Sequence, residues 1–425
     1  MTGELRVRVE TGSAYEAAGT VVTTLVGNIY AMTPGNPSLR DVPLPLGWDV
    51  WPTTFDVPAG RYTVEASLPS GQILTEDVEV SDGAAADLDL DLRESPYESH
   101  TLQYIVGNIE PAEVYHNRET YPVPRSLGSR SFASMAGSNS PANVSALWRD
   151  KGRPLSIAEL VGLRELVPSA AAARVTELLG ASVRPSPLSA FYPRLPSPIY
   201  RFNEYTVQEY PSQHYQYLTV EAMGDVYLVT VPWPWRDGYG RNAAVDVMVN
   251  LRQSPTGSPI SVVVNDPGMG SGLGYLSAGS LTKAAVLFRD AERMLYEKIK
   301  NPVAAAAGAY VLIGTDASMD QQEWDRWLGN LRNWFPEVSD GAVLWGARRL
   351  HTAQEQSHVD QAREALLEGF RRGLPVFTLG LTWLIEGLSA FPEDPECAAA
   401  LRQVRQLCLH VDMREPFVVL RLGST

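Results

Sequence analysis

Histidine and cysteine side chains offer few combinations for catalysis in this 425-residue chain, which has six histidines and two cysteines. Cys408 and His410 are two positions apart, so on a continuing helix they point away from each other and form no thiolate–imidazolium pair. His351 and His358 flank a polar loop, and no cysteine or carboxylate completes a metal-ligand spacing with them. These residues predict neither a catalytic centre nor a metal site.

A glycine-rich segment at residues 267–280 is the second candidate for chemistry. It follows a predicted strand, Ile260–Val264, and precedes a predicted helix near Leu281, the order that a phosphate-binding loop requires. No window in it reads G-x-G-x-x-G, however, and a Walker-type GK[ST] is missing. We interpret the segment as a flexible junction without a cofactor. The competing interpretation is a hydrolase site beside this segment and Asp266.

An arginine-bearing segment at residues 116–140 is rich in Ser, Pro, Gly and Asn and has little periodicity, which is typical of an exposed linker. Its candidate residues for cleavage by a protease, or for docking, are Arg118, Arg125 and Arg130. An ordinary connection between domains explains the same composition and is the simpler expectation.

Aromatic residues in the segment PWPWRDGYG are candidates for binding a partner, namely Trp233, Trp235 and Tyr239. Aromatic side chains on an exposed loop anchor protein partners or stack on sugars. They also close the end of a sheet, and we expect this structural role first and partner binding second.

Acidic residues are concentrated in residues 1–99, where 16 Asp and Glu stand against 5 Arg, so that this region carries −11 of the formal net charge of −14. Such a region repels phosphate backbones, which argues against nucleic-acid binding. An acidic surface attracts basic partners, but solubility is the simpler explanation.

The cellular environment is predicted from the N-terminus, the apolar runs and the cysteines. The chain starts with a strand-like alternation, MTGELRVRVE, without a signal segment. Its longest apolar run, Val303–Ile313, is shorter than the ~20 residues of a membrane helix. Cys397 and Cys408 lie too far apart on one predicted helix for a disulfide. We expect a cytoplasmic protein that does not bind membranes.

The N-terminal part of the chain predicts β structure. Leu5, Val7 and Val9 alternate with charged residues, and VPAGRYTVEASLPSGQILTEDVEV reads as strands joined by tight turns. We therefore expect a small acidic β-sandwich over residues 1–95. A strand and the arginine-bearing linker follow over residues 96–154.

The middle of the chain predicts two short helices and a second β region. Ser156 and Glu159 form a capping box at the start of the first helix, within residues 155–185. The second β region spans residues 186–266, with strands at Tyr215–Ala222, Asp225–Val231, Ala243–Leu251 and Ile260–Val264.

The C-terminal third predicts a TPR-like stack of helical hairpins over residues 281–392. Apolar helices open at Pro302, Asp340 and Pro375, at intervals of roughly 37 residues, and hairpins of this period stack side by side. Each contains a glycine that lets a neighbour approach: Gly308, Gly346 and Gly380. The amphipathic helices that precede them are Lys283–Lys300, Gln321–Trp334 and Val359–Arg372.

Residues 393–425 predict a last helix, Cys397–Leu407, and a strand, Phe417–Leu422, that pairs back onto a β region. In the helix Gln321–Trp334 a stripe at three- and four-residue steps predicts buried contacts between hairpins. Its members are Trp324, Trp327, Leu328, Leu331 and Trp334.

Two resemblances add to these predictions. The phrases ERMLYEKIKNPVAAAAGAYVLI and WLGNLRNWFPEVSDGAVLWGARRL, with RRGLPVFTLGLTWLIEGL, are similar to a helical module of bacterial proteins associated with caspase-like and CHAT-type peptidases in antiviral conflict systems. This resemblance covers about residues 260–392. The strand–turn pattern of residues 1–95 resembles transthyretin-like and PEGA-type sandwiches, which are accessory modules.

Together these observations predict a multidomain α+β protein without enzymatic activity. The first resemblance implies a substrate, adaptor or inhibitor of a caspase-like or CHAT peptidase, with the 116–140 segment as the cleaved or docking region. Besides the hydrolase, a carbohydrate-binding protein that uses the aromatic PWPWRDGYG segment is the remaining alternative.

Overall fold

The structure is a computed structural model that describes residues 2–10, 23–46, 50–69, 71, 73–91, 142–148, 155–166, 182–183, 188–191, 199–202, 216–222, 225–232, 235–236, 245–249, 260–264, 266, 269–288, 290–315 and 321–424. The chain divides into two compact units. The first unit combines Met1–Arg125 with Val263–Arg289, and the second combines Ser126–Val262 with Asp290–Thr425.

Seven strands of the first unit form one sheet, a half-barrel. They are β1 (Thr2–Glu10), β2 (Thr23–Ala31), β3 (Leu39–Leu46), β4 (Thr53–Pro58), β5 (Gly60–Ser67), β6 (Ile73–Val80) and β7 (Ala85–Asp91). One group has the order β3-β2-β5-β6, and β1 lies between β4 and β7 in the other. A single pair of Cα partners, Val9 and Leu46, joins the two groups. The predicted alternation in β1 is confirmed, since Leu5, Val7 and Val9 are fully buried.

The glycine-rich segment contains a helix, α2 (Gly270–Ser277), so the prediction of a flexible junction over residues 267–280 was wrong. Tyr275 of α2 accepts a hydrogen bond from the N–H of Val26 (3.1 Å) and donates one to the carbonyl of Ser67. Burial raises the pKa of Tyr275. At Gly272 a Cβ atom would lie 2.4 Å from the ring of Phe288. The glycines therefore serve close packing within this unit.

The other described strands form two sheets with the orders β10-β11-β14-β15 and β16-β13-β12-β8-β9. Their bounds are β8 (Ala142–Trp148), β9 (Ser182–Val183), β10 (Leu188–Phe191), β11 (Ile199–Phe202), β12 (Gln216–Ala222), β13 (Asp225–Thr230), β14 (Val245–Val249), β15 (Ile260–Val264) and β16 (Val419–Ser424). The predicted second β region is confirmed by β12 to β15. The C-terminal strand pairs with β13, as expected. By contrast, β8 lies within the predicted linker and pairs with β12. The sequence did not predict this strand, because Ser and Asn are typical of loops.

Nine further helices are found among the described residues. Their bounds are α1 (Ile157–Leu166), α3 (Leu281–Leu287), α4 (Ala291–Tyr296), α5 (Pro302–Gly314), α6 (Gln321–Trp334), α7 (Ser339–His351), α8 (Gln356–Arg372), α9 (Thr378–Ser389) and α10 (Pro395–Cys408). This confirms the predicted α+β class with a C-terminal helical stack. None of the described helices is both long and apolar enough to cross a membrane.

Capping explains several helix starts. In α1 the predicted capping box is present, because Ser156 N–H donates to Glu159 (2.7 Å) and Glu159 N–H donates to Ser156 Oγ (3.2 Å). The Asn301 side chain accepts a hydrogen bond from the Ala304 N–H at the start of α5. The second short helix predicted before residue 185 lies outside the described residues.

One predicted helix is interrupted. Lys283–Lys300 was expected to be continuous, but α3 ends at Leu287 and α4 begins at Ala291. Phe288, directly after α3, packs on Gly272 in the first unit. The carbonyl of Ala291, which opens α4, lies against Gly308 in the second unit. The helix is interrupted because Phe288 packs in the first unit and Ala291 packs in the second. The helical stack therefore begins at α4.

The three glycines predicted to permit close approach do so. A Cβ atom would lie 2.6 Å from the Ala291 carbonyl oxygen at Gly308, and 2.7 Å from Leu366 Cγ at Gly346. At Gly380 it would lie 2.5 Å from the hydroxyl of Tyr310. Each apolar helix of the stack thus contacts a neighbour at a position where only glycine fits.

Gly308→Ala is expected to lower the free energy of unfolding by about 1–3 kcal/mol, because its methyl group would press on the backbone of α4 and shift it. The matched control is Gly162→Ala in α1, where no atom lies within 4 Å of the added Cβ. That substitution is expected to be neutral or to stabilise by up to about 1 kcal/mol. Urea unfolding of the two variants measures the difference, and equal effects would contradict the packing argument.

Candidate functional site

Of the residues predicted to form a site, the structure describes Trp235. Arg118, Arg125 and Arg130 lie outside the described residues, and so do Trp233 and Tyr239. Trp235 is described and fully buried, which agrees with the structural role and leaves its ring no surface for a partner.

The residues weighed for catalysis are also buried or engaged in the fold. The backbone carbonyl of Asp266 accepts hydrogen bonds from Met269 N–H (3.0 Å) and Gly270 N–H (2.8 Å), and so leads the chain into α2. Burial raises the pKa of the Cys397 and Cys408 thiols to about 11, which keeps both protonated at neutral pH. Burial and the charges of nearby arginines lower the pKa of His410.

An exposed apolar patch lies where α4 and the residues after it meet α6. We call Tyr296, Ile299, Trp327 and Trp334 the aromatic patch. Ile299 is 74% exposed, Tyr296 61% and Trp334 54%. The rings of Tyr296 and Trp327 meet edge to face, with their centroids 5.2 Å apart. Large apolar side chains that are exposed together mark interaction surfaces more often than single ones do.

The geometry of α6 explains this exposure. Trp324, Leu328 and Leu331 are buried, as predicted for the stripe, but Trp334 is not. Each residue turns a helix by about 100°, which places Trp327 and Trp334 roughly a quarter turn from the centre of the buried side. The apolar stripe of α6 is therefore wider than the part of α6 that neighbouring residues cover. The prediction that all of it is buried was wrong for Trp334, which is exposed, and holds only in part for Trp327, which is half-buried.

A cavity of about 390 Å³ opens between α6 and α7, on the other side of α6 from the aromatic patch. Gly329 forms part of its wall, because a Cβ atom there would lie 3.5 Å from the Trp345 ring. The Arg349 guanidinium stacks over Trp345, 4.2 Å from the ring centroid. Arg326, Asn330 and Asn333 also line the cavity, and we call these three residues the polar ridge.

Ion pairs neutralise only some of the charges around the cavity. Asp325 pairs with Arg348 at 3.0 Å and with Arg349 at 3.8 Å, and Arg332 pairs with Glu368. Within the described part of the chain, no hydrogen bond or ion pair engages the Arg326 side chain or the Asn330 and Asn333 amides. The polar ridge therefore presents donors that the fold itself does not use.

A second cation without a carboxylate partner lies beside the patch. Lys298 is only 3% exposed, and its Nζ donates to the carbonyls of Leu295 (3.2 Å) and Tyr296 (3.4 Å). The Trp334 ring centroid lies 5.7 Å from this Nζ. Among the described residues, no carboxylate pairs with Lys298. Burial, and next the charge of Arg326, lower its pKa.

A buried carboxylate holds the helices of the stack together. Asp340 in the first turn of α7 accepts hydrogen bonds from the Tyr310 hydroxyl (2.9 Å), Val376 N–H (2.7 Å) and Phe377 N–H (3.3 Å). Burial raises the pKa of Asp340 to about 6, although the hydrogen bonds lower it. These bonds link α5, α7 and the start of α9. They also explain why α9 begins at Thr378 and not at Pro375.

The polar ridge was not among the predicted sites, although the sequence contains a signal for it. Arg326, Asn330 and Asn333 recur at steps of four and three residues, which places them on one helix face. Composition alone does not reveal this face, since scattered Arg and Asn residues are ordinary on a solvated helix.

Part of the chain is similar to a known protein family. Residues 271–419 match the family model described as the Y4kD C-terminal domain. No curated protein matches the chain, and no solved structure does. The family match includes neither a peptidase-associated conflict module nor a PEGA-type sandwich. The segment from α2 to the start of β16, about a third of the chain, is thus similar to the Y4kD C-terminal domain.

Proposed function

We propose that this chain is a non-catalytic protein-binding component and that its helical stack docks a partner on the aromatic patch and the adjoining cavity. The observation that carries this proposal is the joint exposure of Tyr296 and Trp334, on helices of a tightly packed stack, and of Ile299 in the turn after α4. Exposed tryptophan and tyrosine beside arginine are the residue types that dominate binding energy at protein interfaces.

The proposed partner is a caspase-like or CHAT-type peptidase of a bacterial antiviral defence system in the cytoplasm. Support comes from the resemblance over residues 260–392, with the arginines of the 116–140 segment as the region that is cut or docked. The chain would then be a substrate, adaptor or inhibitor of the peptidase. The alternatives are a hydrolase near Asp266 and a carbohydrate-binding protein that uses Trp233 and Tyr239.

Incubation of the full chain with the peptidase encoded nearest to its gene, followed by intact mass measurement, tests the partner. Cleavage after Arg118, Arg125 or Arg130 identifies a substrate. An intact chain that co-elutes with the peptidase is an adaptor or inhibitor. Neither cleavage nor binding would contradict the peptidase link and direct attention to the hydrolase alternative.

Trp334→Ala is expected to weaken binding to a co-eluting partner at least tenfold, because it removes a half-exposed ring from the patch. The matched control is Trp51→Ala, since Trp51 is 92% exposed in the first unit. Calorimetric titration measures both dissociation constants. Equal affinities for the two variants would show that the aromatic patch is not the docking surface.

A further inference from the structure

We infer that the partner segment bound by this surface is acidic, and that its carboxylates bind the polar ridge while an adjoining aromatic or aliphatic side chain packs on the aromatic patch. This inference rests on the proposed function and names the chemistry of the partner at the same site. Two features of the described residues support it: the arrangement of α6 and the charges left without partners.

The arrangement of α6 makes the surface continuous. With about 100° per residue, Arg326, Asn330 and Asn333 lie within roughly 60° of one another. Trp327 and Trp334 follow on one side of this ridge, and Gly329, with the cavity, follows on the other. An extended segment that crosses α6 therefore meets apolar surface, then hydrogen-bond donors, then the Trp345–Arg349 stack.

The cationic groups that have no ion-pair partner among the described residues favour a ligand with negative charge. Arg326 is exposed and unpaired among the described residues, and the buried Lys298 ammonium donates to two carbonyl groups beneath the Trp334 ring. Two neighbouring acids are engaged, Asp325 by Arg348 and Glu297 by Arg293 and Lys300, whereas the exposed Glu323, one turn before Arg326, has no ion pair among the described residues. Arg349 also has a buried Nε without a hydrogen-bond partner. A carboxylate from a partner would neutralise charges that this chain leaves uncompensated.

The same features favour a protein carboxylate over a nucleic-acid phosphate. A nucleic acid gains affinity from a row of cations, each of which displaces counterions. Among the described residues, this surface offers one exposed cation without an ion-pair partner, Arg326, since Lys298 is only 3% exposed, and the chain has a net charge of −14. One guanidinium suits one carboxylate, which it binds in a bidentate geometry. The Asn330 and Asn333 amides can pair with the backbone of an extended peptide.

Selection of displayed random dodecapeptides on the full chain, in parallel with the Arg326→Glu variant, tests the inference. The native chain is expected to enrich Asp and Glu next to an aromatic residue. A selected acidic peptide, measured by fluorescence anisotropy, is expected to bind the variant at least 30-fold more weakly. Its charge-reversed version, with Lys in place of Asp and Glu, is expected to prefer the variant. Arg405→Glu, at an exposed arginine of α10, is the matched control and should retain acidic preference.

The outcomes separate the inference from the function it rests on. If no peptide is enriched, or if Trp334→Ala does not weaken the selected peptides, the proposed docking surface itself is wrong. If peptides depend on Trp334 but are not acidic, or bind equally to Arg326→Glu, the surface stands and the acidic partner is overturned. A 12-nucleotide single-stranded RNA that binds more tightly than any peptide and depends on Arg326 would overturn it as well. So would self-association by sedimentation that Arg326→Glu abolishes, because the occupant is then a second copy.

Discussion

Asp340→Ala is expected to lower the free energy of unfolding by about 3–5 kcal/mol, one of the two largest effects predicted for a single substitution here. The carboxylate is fully buried and accepts hydrogen bonds from Tyr310, Val376 and Phe377. Its removal leaves a hydroxyl and two backbone N–H groups buried without an acceptor, and each such group costs roughly 1–3 kcal/mol. Urea unfolding monitored by tryptophan fluorescence measures the loss.

Two further variants make the expectation specific. Asp340→Asn keeps one oxygen as an acceptor but directs an NH₂ group at a donor, so its cost should lie between those of the native chain and the alanine variant. Asp360→Ala, at an exposed aspartate of α8, removes a carboxylate without burying donors and should change stability by less than about 0.5 kcal/mol. If Asp340→Ala costs no more than this control, Asp340 does not hold the helices together.

Glu415→Gln is expected to remove a large part of the pH dependence of stability. Burial raises the pKa of Glu415 to about 8, from an ordinary value of 4.5, while the Ser261 hydroxyl (2.9 Å) donates a hydrogen bond to its carboxyl group. Between these values the folded chain keeps the proton and the unfolded chain releases it. Stability therefore falls as the pH rises from about 4.5 to 8, on the order of 5 kcal/mol in all, and levels off above that range.

The measurement compares the native chain and the variant by urea unfolding at pH 5, 6.5 and 8. Glutamine is neutral throughout, so the variant should lose the Glu415 part of the slope and gain relative to the native chain as the pH rises. Asp340, with its pKa of about 6, adds a slope between pH 3.8 and 6 that is common to both proteins and cancels in their difference. Glu393→Gln, at an exposed turn, is the control and should follow the native curve. Parallel curves for the native chain and Glu415→Gln would contradict a buried, protonated Glu415.

Local features of the sequence predicted much of the helical stack. The capping box at Ser156 and the apolar periodicity of Gln321–Trp334 depend on contacts within one or two turns, which the sequence displays directly. The same holds for the short strands β12 to β15, where runs of β-branched residues are bounded by turns. The glycines of the apolar helices were also interpretable, because a glycine inside an otherwise good helix usually has a packing reason.

The candidate site depends on contacts that no local pattern contains. The exposure of Trp334 is decided by how much of α6 the neighbouring helices cover, and the same stripe would be buried against a wider partner. Only the tertiary structure shows that Lys298 has no carboxylate partner and that the amides of the polar ridge form no hydrogen bond among the described residues. In it, Glu297 pairs with Arg293 and Lys300, and Asp325 pairs with Arg348. Such pairing joins residues that are distant in the chain.

The sequence by itself determined the type and approximate position of several helices and strands, since caps, turns and periodicity act over a few residues. The tertiary structure alone decided which surfaces stay open. The glycine-rich segment 267–280 contains a packed helix because the Tyr275 hydroxyl bonds to the backbone of Val26 and the Phe288 ring packs on Gly272. Asp340 became a link between helices because Val376 and Phe377 lie beside it in space, far from it in the chain. Burial of polar and apolar groups is a property of the whole packed chain, and function at a surface follows from what that packing leaves uncovered.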